Sequence, residues 1–178
     1  DLVVGGGSSG TLQWNGTDNA LTAARNVTVN SGANLNIFTA VASPVGVTLN
    51  VGGNFTNNGT VHAAYTSALI NLTNAFATTP AILGGTGNFV GGIINSLFFE
   101  STGGADINTS QNITARFIQV AAGNLNTNGK LSIDNTAQVF GQPFNQQVYS
   151  IVVTGMGSGY NTATPPTITI AGPNAGIT

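Results

Sequence analysis

The chain contains no cysteine and very few charged residues, and each of these shortages excludes a class of protein. Without cysteine there is neither a disulfide framework nor thiol chemistry. Only 3 basic and 5 acidic residues occur among 178, which is 4% charged against roughly 25% in typical soluble proteins. A nucleic-acid-binding protein needs a basic stripe, whereas Arg25, Arg116 and Lys130 lie far apart in the sequence. Nucleic acid is therefore not an expected partner.

Long apolar runs and helix-forming residues are also scarce. No stretch approaches the ~18 uninterrupted apolar residues of a membrane-spanning helix, so no membrane insertion is expected. A helical bundle needs abundant Ala, Glu, Lys and Leu, whereas this chain has one Glu and one Lys. The one helix-friendly run, residues 20–24, is too short to stand alone.

Glycine, threonine and asparagine are the abundant residues, with 25, 24 and 23 copies, and 41% apolar content is enough to build a core. Short β-branched or apolar segments recur along the chain and indicate strands. The segments begin at positions 27, 47, 69, 89, 113 and 131, so the steps between successive starts are 20, 22, 20, 24 and 18. This recurrence predicts a solenoid in which each repeat forms one coil, since repeat architectures have periods of roughly 20–50 residues.

The local sequence is consistent with such coils. In NVTVNSGANLNI, alternation predicts that Val27, Val29, Leu35 and Ile37 point inward around a turn. In VTLNVGGNFTNNGTVHA it predicts that Val47, Leu49, Val51 and Phe55 do so. Asn and Gly suit the corners because they tolerate a left-handed backbone, and stacked Asn side chains can form amide ladders.

These patterns favour an all-β chain, with a β-solenoid of about six coils over residues 1–140. An antiparallel sandwich is the second alternative, although a sandwich has no reason to keep such a recurrence. Residues 141–147 break the recurrence and are predicted to be a linker. Residues 148–178 are predicted to start a small β-rich repeat module, whose second strand begins at an edge after Pro165 and Pro166.

Residues 25–135 resemble a pattern found in large secreted surface proteins of Bacteroidota. The segments GNFTNNGT (53–60), GTGNFVGGIIN (85–95) and GNLNTNG (123–129) carry the likeness. That family consists of right-handed parallel β-helices exported by the type IX secretion system, gliding-motility adhesins among them. One departure is Ser96, between Asn95 and Leu97, a one-residue insertion that a bulge would absorb.

The C-terminal stretch YSIVVTGMGSGYNTATPPTITIAGP resembles the short GSGY repeat of bacterial surface proteins and phage tail fibres. Gly157–Tyr160 and Thr167–Ile170 carry this match, and the single proline of the repeat is doubled here. The repeat usually continues beyond Thr178, and DLVVGGGSSG at the start lacks the features of a signal peptide. Either processing removed a signal peptide or the sequence is part of a longer exported protein, and the continuing repeat favours the second expectation.

Trp14, Glu100 and Asp106 are the candidates for a carbohydrate-binding site, the alternative considered because parallel β-helices include polysaccharide lyases and hydrolases. Glu100 and Asp106 are the nearest acidic pair in the sequence, and glycosidases use two carboxyl groups roughly 5–10 Å apart. Solvated turn acids remain the favoured interpretation of both. Trp14 could stack on a sugar ring, but an aromatic near one end of a solenoid more often closes the core.

No metal, cofactor or catalytic residue is expected. His62 has no second His or Cys nearby, whereas a zinc site needs three or four ligands, so a structural role is favoured. The predicted function is a non-enzymatic stalk or adhesive segment at the bacterial cell surface. Its expected partners are translocon components, reached through parts of the protein outside this chain, and surface glycans. The alternative is a polysaccharide-binding or polysaccharide-degrading module of the tail-spike or lyase type.

Overall fold

The computed structural model of the chain describes residues 1–7, 9–14, 20–39, 46–74 and 78–141, with the backbone alone for 135–141. The chain divides into two compact units, Asp1–Gln146 and Gln147–Thr178, and all described residues belong to the first. This part contains strands and no helix. The strands are β1 (Leu2–Val4), β2 (Gly10–Trp14), β3 (Ala20–Ala23), β4 (Val27–Val29), β5 (Ala33–Thr39), β6 (Thr48–Val51), β7 (Phe55–Asn57), β8 (Thr60–Ala63), β9 (Leu69–Leu72), β10 (Ala81–Gly85), β11 (Asn88–Phe99), β12 (Ala105–Thr109), β13 (Ile113–Val120), β14 (Leu125–Asn126) and β15 (Leu131–Gly141).

Every pairing between these strands is parallel, so the fold is a β-solenoid and the antiparallel sandwich is wrong. Face one is the sheet β1-β4-β7-β10-β12-β14. Face two stacks β2, β5 and β8 below the first part of β11, and face three stacks β3, β6 and β9 below its second part. β13 and β15 continue both faces beyond β11. One coil comprises one strand segment from each face, beginning with β1, β2 and β3 as coil 1.

The core is an aliphatic and aromatic stack enclosed by the three faces. The inward positions predicted by alternation are confirmed, since Val27, Val29, Leu35 and Ile37 have no exposed surface. The same holds for Leu49, Val51 and Phe55, and Val47 is only 1% exposed. Each coil places its side chains directly on those of the preceding one, so the hydrophobic contacts run continuously along the axis.

Most coils are longer than the recurrence in the sequence predicts. On face one, Leu2 pairs with Val27, Val27 with Phe55 and Phe55 with Leu83, so the chain advances by 25, 28 and 28 positions. The later steps, Ala81 to Ala105 and Ala105 to Leu125, are 24 and 20 positions. The recurrence seen in the sequence mixed faces: Val27 lies on face one, Leu69 on face three and Phe89 on face two.

The extra residues of coil 4 are accommodated near two glycines rather than at Ser96. Ser96 pairs in register with Leu69 on one side and Phe117 on the other. The register between β8 and β11 instead shifts between Phe89 and Ile94. Gly91 and Gly92 lie within that interval with φ of 70° and 68°, a conformation that favours glycine. The irregularity therefore falls where the backbone is free to absorb it.

Two other predictions concern segments at the ends of the solenoid. Residues 20–23, within the helix-friendly run, form strand β3, because tertiary packing overrides a weak helical propensity. The predicted linker begins at Gly141, which is the last residue of β15. Residues 142–147 and the predicted module 148–178, including its GSGY segment, lie outside the described residues.

Candidate functional site

A column of side-chain oxygens runs along the corner that leads from face three into face one. The Asn26 N–H donates to Oδ1 of Asp1 at 3.1 Å. One coil further, the Asn54 N–H donates to Oδ1 of Asn26 at 2.9 Å, and the Ile82 N–H donates to Oδ1 of Asn54 at 2.9 Å. Each oxygen satisfies a backbone donor of the following coil, and the column ends at Ile82 because its side chain has no acceptor.

Replacing Asn54 by alanine should lower the free energy of unfolding by about 1–2 kcal/mol, because the partly buried Ile82 N–H loses its acceptor. Asn54→Asp keeps an oxygen at the same position and should stay within about 0.5 kcal/mol of the wild type. Urea denaturation of the two variants measures the difference. Equal destabilisation of both variants would show that the oxygen is not the stabilising group.

Amide side chains also join consecutive coils at the corner from face one into face two. Asn57 is buried, accepts from the Gly59 N–H at 3.0 Å and donates to the Asn88 carbonyl at 3.1 Å. Gln111 accepts from the Phe89 N–H at 2.7 Å and donates back to its carbonyl at 3.1 Å. The side chains of Asn57 and Gln111 therefore satisfy backbone groups at this corner, within their own coil or in the adjacent one.

The sequence suggested that asparagines at the corners adopt a left-handed backbone. Among the described asparagines, one does so. Outside glycine, positive φ occurs in the described residues at Ser67 and Asn128, with φ of 68° and 48°. The other described asparagines keep negative φ. Their abundance therefore follows from the hydrogen-bonding capacity of the amide, which bridges adjacent coils as both donor and acceptor.

Glu100 belongs to a side-chain ladder on the outside of face three. Nδ2 of Asn71 lies 3.2 Å from both Oδ1 of Asn50 and Oε2 of Glu100. Asn50 in turn donates to Oγ1 of Thr22 at 3.3 Å. The ladder crosses four coils and contains one Asn–Asn step, between Asn50 and Asn71, on the strands of face three rather than at a corner. One oxygen of the exposed Glu100 carboxylate thus ends a structural ladder.

Asp106 lies half-buried on face one, beside an open groove of about 510 Å³. The groove lining also includes Arg25, which pairs with Asp1 at 3.5 Å, and the residues Asn26, Asn54 and Asn74. Its position follows the corner between faces three and one, where the column of side-chain oxygens runs. The groove therefore combines one carboxylate, one guanidinium and several amides, groups that hydrogen-bond hydroxyl-rich ligands.

Trp14 ends β2 in coil 1, where it is half-buried and packs against the hydrophobic core. β2 is the outermost strand of its sheet in the described part of the chain. This placement agrees with an aromatic that covers the end of the core. Its indole is separated from coil 5 by four coil spacings, which is about 19 Å along the axis.

The structure does not bring the three predicted site residues together. Trp14 lies on face two of coil 1, Glu100 follows face three of coil 4, and Asp106 lies on face one of coil 5. The groove beside Asp106 is not lined by the other two. Each residue is placed in a different local environment, so no joint chemistry of the three follows from their geometry.

An outward-facing cluster, here named the aromatic surface, consists of Phe38, His62 and Tyr65 at the end of face two. The Phe38 and Tyr65 ring centroids are 4.2 Å apart with planes inclined at 36°. The Phe38 and His62 rings meet edge to face at 6.2 Å. Tyr65 is 38% exposed, and the other two side chains are half-buried. Alternation from the inward Leu35 and Ile37 was the sequence signal that Phe38 points outward.

The outward side chains of Gln13, Asn36 and His62 lie one above the other on coils 1 to 3 and form a polar column that ends at the aromatic surface. Asn36 and His62 are register partners on adjacent strands. Asn36 donates to Oε1 of Gln13 at 3.2 Å, and its own Oδ1 is buried without a hydrogen-bond partner. Nη1 of Arg116 donates to the carbonyl of Ala64, the residue before Tyr65, at 3.1 Å and thus reaches back from coil 5 to coil 3.

Comparison with known protein families, with curated proteins and with solved structures finds no match to this chain. Among the described residues, no three His, Asp or Glu side chains are grouped so as to hold a metal ion. The same residues contain no helix long and apolar enough to cross a membrane.

Proposed function

We propose that the chain is a structural and adhesive segment of a large secreted bacterial surface protein, a non-enzymatic stalk exported by the type IX secretion system. The observation that carries this proposal is the unbroken parallel stack, in which six face-one strands share one continuous core. A rod of this kind extends in one dimension and spaces other parts of a protein apart.

The corners reinforce the stack against separation of its coils. The amide oxygens of Asn26 and Asn54 accept from backbone N–H groups of the next coil, and the Asn57 amide donates to a carbonyl of the next coil, in addition to the parallel strand ladders. Removing one coil must therefore break strand pairing, corner bonds and hydrophobic contacts at the same time. Force applied along the rod meets this combined resistance at every coil.

The composition supports a setting outside the cell. With 4% charged residues, the solenoid surface is solvated mainly by hydroxyl and amide groups, which suits an extracellular fibre. The resemblance of residues 25–135 to secreted Bacteroidota β-helix proteins points to the same setting. Translocon components would be engaged by parts of the protein outside this chain, and adhesion would come from many weak polar contacts multiplied by avidity.

Pulling the 178-residue chain by its two ends in a force spectrometer tests the stalk function. Unfolding should proceed by successive steps, because each coil contacts only its neighbours. At ~3.6 Å per residue, one step should release roughly 7–10 nm of chain, the contour length of one coil. Unfolding at negligible force without defined steps would argue against a load-bearing role.

The groove beside Asp106 favours a second candidate function, binding or degradation of a polysaccharide. Its carboxylate, guanidinium and amides are groups suited to hydroxyl-rich chains. Asp106→Ala and Glu100→Ala should leave any polysaccharide binding and turnover unchanged if the stalk function is correct. Loss of turnover in either variant, measured by release of reducing ends, would favour the enzyme alternative.

A further inference from the structure

We propose that the aromatic surface formed by Phe38, His62 and Tyr65 binds an uncharged sugar ring of a surface glycan. The inference rests on the proposed adhesive function and gives it a ligand class and a location. The site is distinct from the groove beside Asp106, which lies on another corner of the solenoid. It is also distinct from Trp14, which packs against the core end.

The geometry of the rings suits a flat apolar partner. Phe38 supports Tyr65 from 4.2 Å away, and His62 supports Phe38 edge to face. Tyr65 is thereby held in place with 38% of its surface in solvent, so little side-chain entropy is lost when a ligand stacks on it. A pyranose offers a face of C–H groups that packs on such a ring.

Polar groups lie near the rings toward both ends of the solenoid, where they could hydrogen-bond the hydroxyl groups at the edge of a sugar ring. Toward coil 1, the amides of Asn36 and Gln13 continue the outward column that begins at His62. Toward coil 5, the Arg116 guanidinium is held by its bond to the carbonyl of Ala64, the residue before Tyr65. Planar amide and guanidinium groups hydrogen-bond the equatorial hydroxyls of a ring stacked on an aromatic side chain.

The size of the cluster favours a sugar over a protein partner. A stable protein interface buries about 800 Å² per partner around a desolvated core of apolar residues. Here the three rings are bordered by outward amides and hydroxyls, including Asn34, Asn36 and Thr60. Such a patch can desolvate one sugar ring, and repetition of weak contacts along a glycan then gives avidity.

Affinity electrophoresis of the full chain tests the inference, with a β-glucan, a galactan, a mannan or anionic polygalacturonate dissolved in the gel. The wild type should be retarded by at least one of the three neutral polymers. Tyr65→Ala should weaken that retardation about tenfold, because the stacking platform is lost, whereas Tyr65→Phe should retain it. Phe117→Ala removes an aromatic side chain of similar exposure from the outside of face three, so it is the matched control and should migrate like the wild type.

Every other outcome counts against the sugar site. Absence of retardation by all neutral polymers, or equal retardation of Tyr65→Ala, overturns the inference. Retardation by polygalacturonate alone overturns the uncharged ligand class. Self-association that Tyr65→Ala abolishes, measured by sedimentation without gel retardation, assigns the surface to protein contact instead. Stepwise unfolding under force is recorded on the same proteins, so failure of the stalk function is seen separately from failure of glycan binding.

Discussion

Replacing Phe55 by alanine should lower the free energy of unfolding by about 3–5 kcal/mol, measured by chemical denaturation. Phe55 has no exposed surface, and its ring centroid lies 6.3 Å from that of Phe89 in the next coil. Because coils above and below are tied to their own strand pairings, the tube cannot collapse to fill the cavity. The loss therefore includes both the transfer of the ring from the core and the empty space left behind.

Phe117→Ala is the matched control for this substitution. Phe117 lies on the outside of face three and is 40% exposed, so the same chemical change should cost less than about 1 kcal/mol. A similar loss of stability in both variants would contradict the inward and outward assignment of the strand positions. The comparison therefore tests the register of the whole stack as well as one contact.

Replacing Gly85 by alanine should destabilise the solenoid by more than about 3 kcal/mol, enough to abolish a stable fold in a marginally stable protein. Gly85 has φ of 110°, a conformation that L side chains rarely adopt. A Cβ there would also lie 2.0 Å from the Asn57 carbonyl oxygen of the preceding coil, which is backbone and has no room to move. Soluble yield and the midpoint of thermal unfolding report the effect.

Substitutions at two other glycines distinguish the cost of a strained backbone from the cost of a steric clash. Gly129 has φ of 69° with no atom within 4 Å of a Cβ, so Gly129→Ala should cost only about 1 kcal/mol. Gly6 has open space and no positive φ, so Gly6→Ala should be neutral within about 0.5 kcal/mol. If Gly85→Ala behaved like Gly129→Ala, the close approach between coils 3 and 4 would be refuted.

The inward pattern of the strands was readable from sequence because a strand alternates strictly between its two faces. Val27, Val29, Leu35 and Ile37 follow that alternation and are fully buried. The length of a coil was not readable, because all three faces use the same short apolar segments. A strand on face three, such as that of Leu69, looks in sequence like a strand on face two.

The candidate sites were less accessible to sequence reasoning. Glu100 and Asp106 are six positions apart in the chain, but the corner between them turns them onto different faces. Phe38 and Tyr65 are 27 positions apart, and only the stacking of coil 3 on coil 2 brings their rings within 4.2 Å. Proximity on a solenoid surface depends on the number of residues in each corner, which varies from coil to coil.

The sequence by itself determined the class of this protein: a charge-poor, cysteine-free, strand-rich chain with alternating apolar positions builds a stacked β-structure. Alternation and turn chemistry are local properties, and they survive in any register. The tertiary structure alone decided which coil lies on which, and hence the amide ladders, the groove and the aromatic surface. Those features arise between residues one whole coil apart in the chain, where pairing is set by the cooperative fit of complete coils.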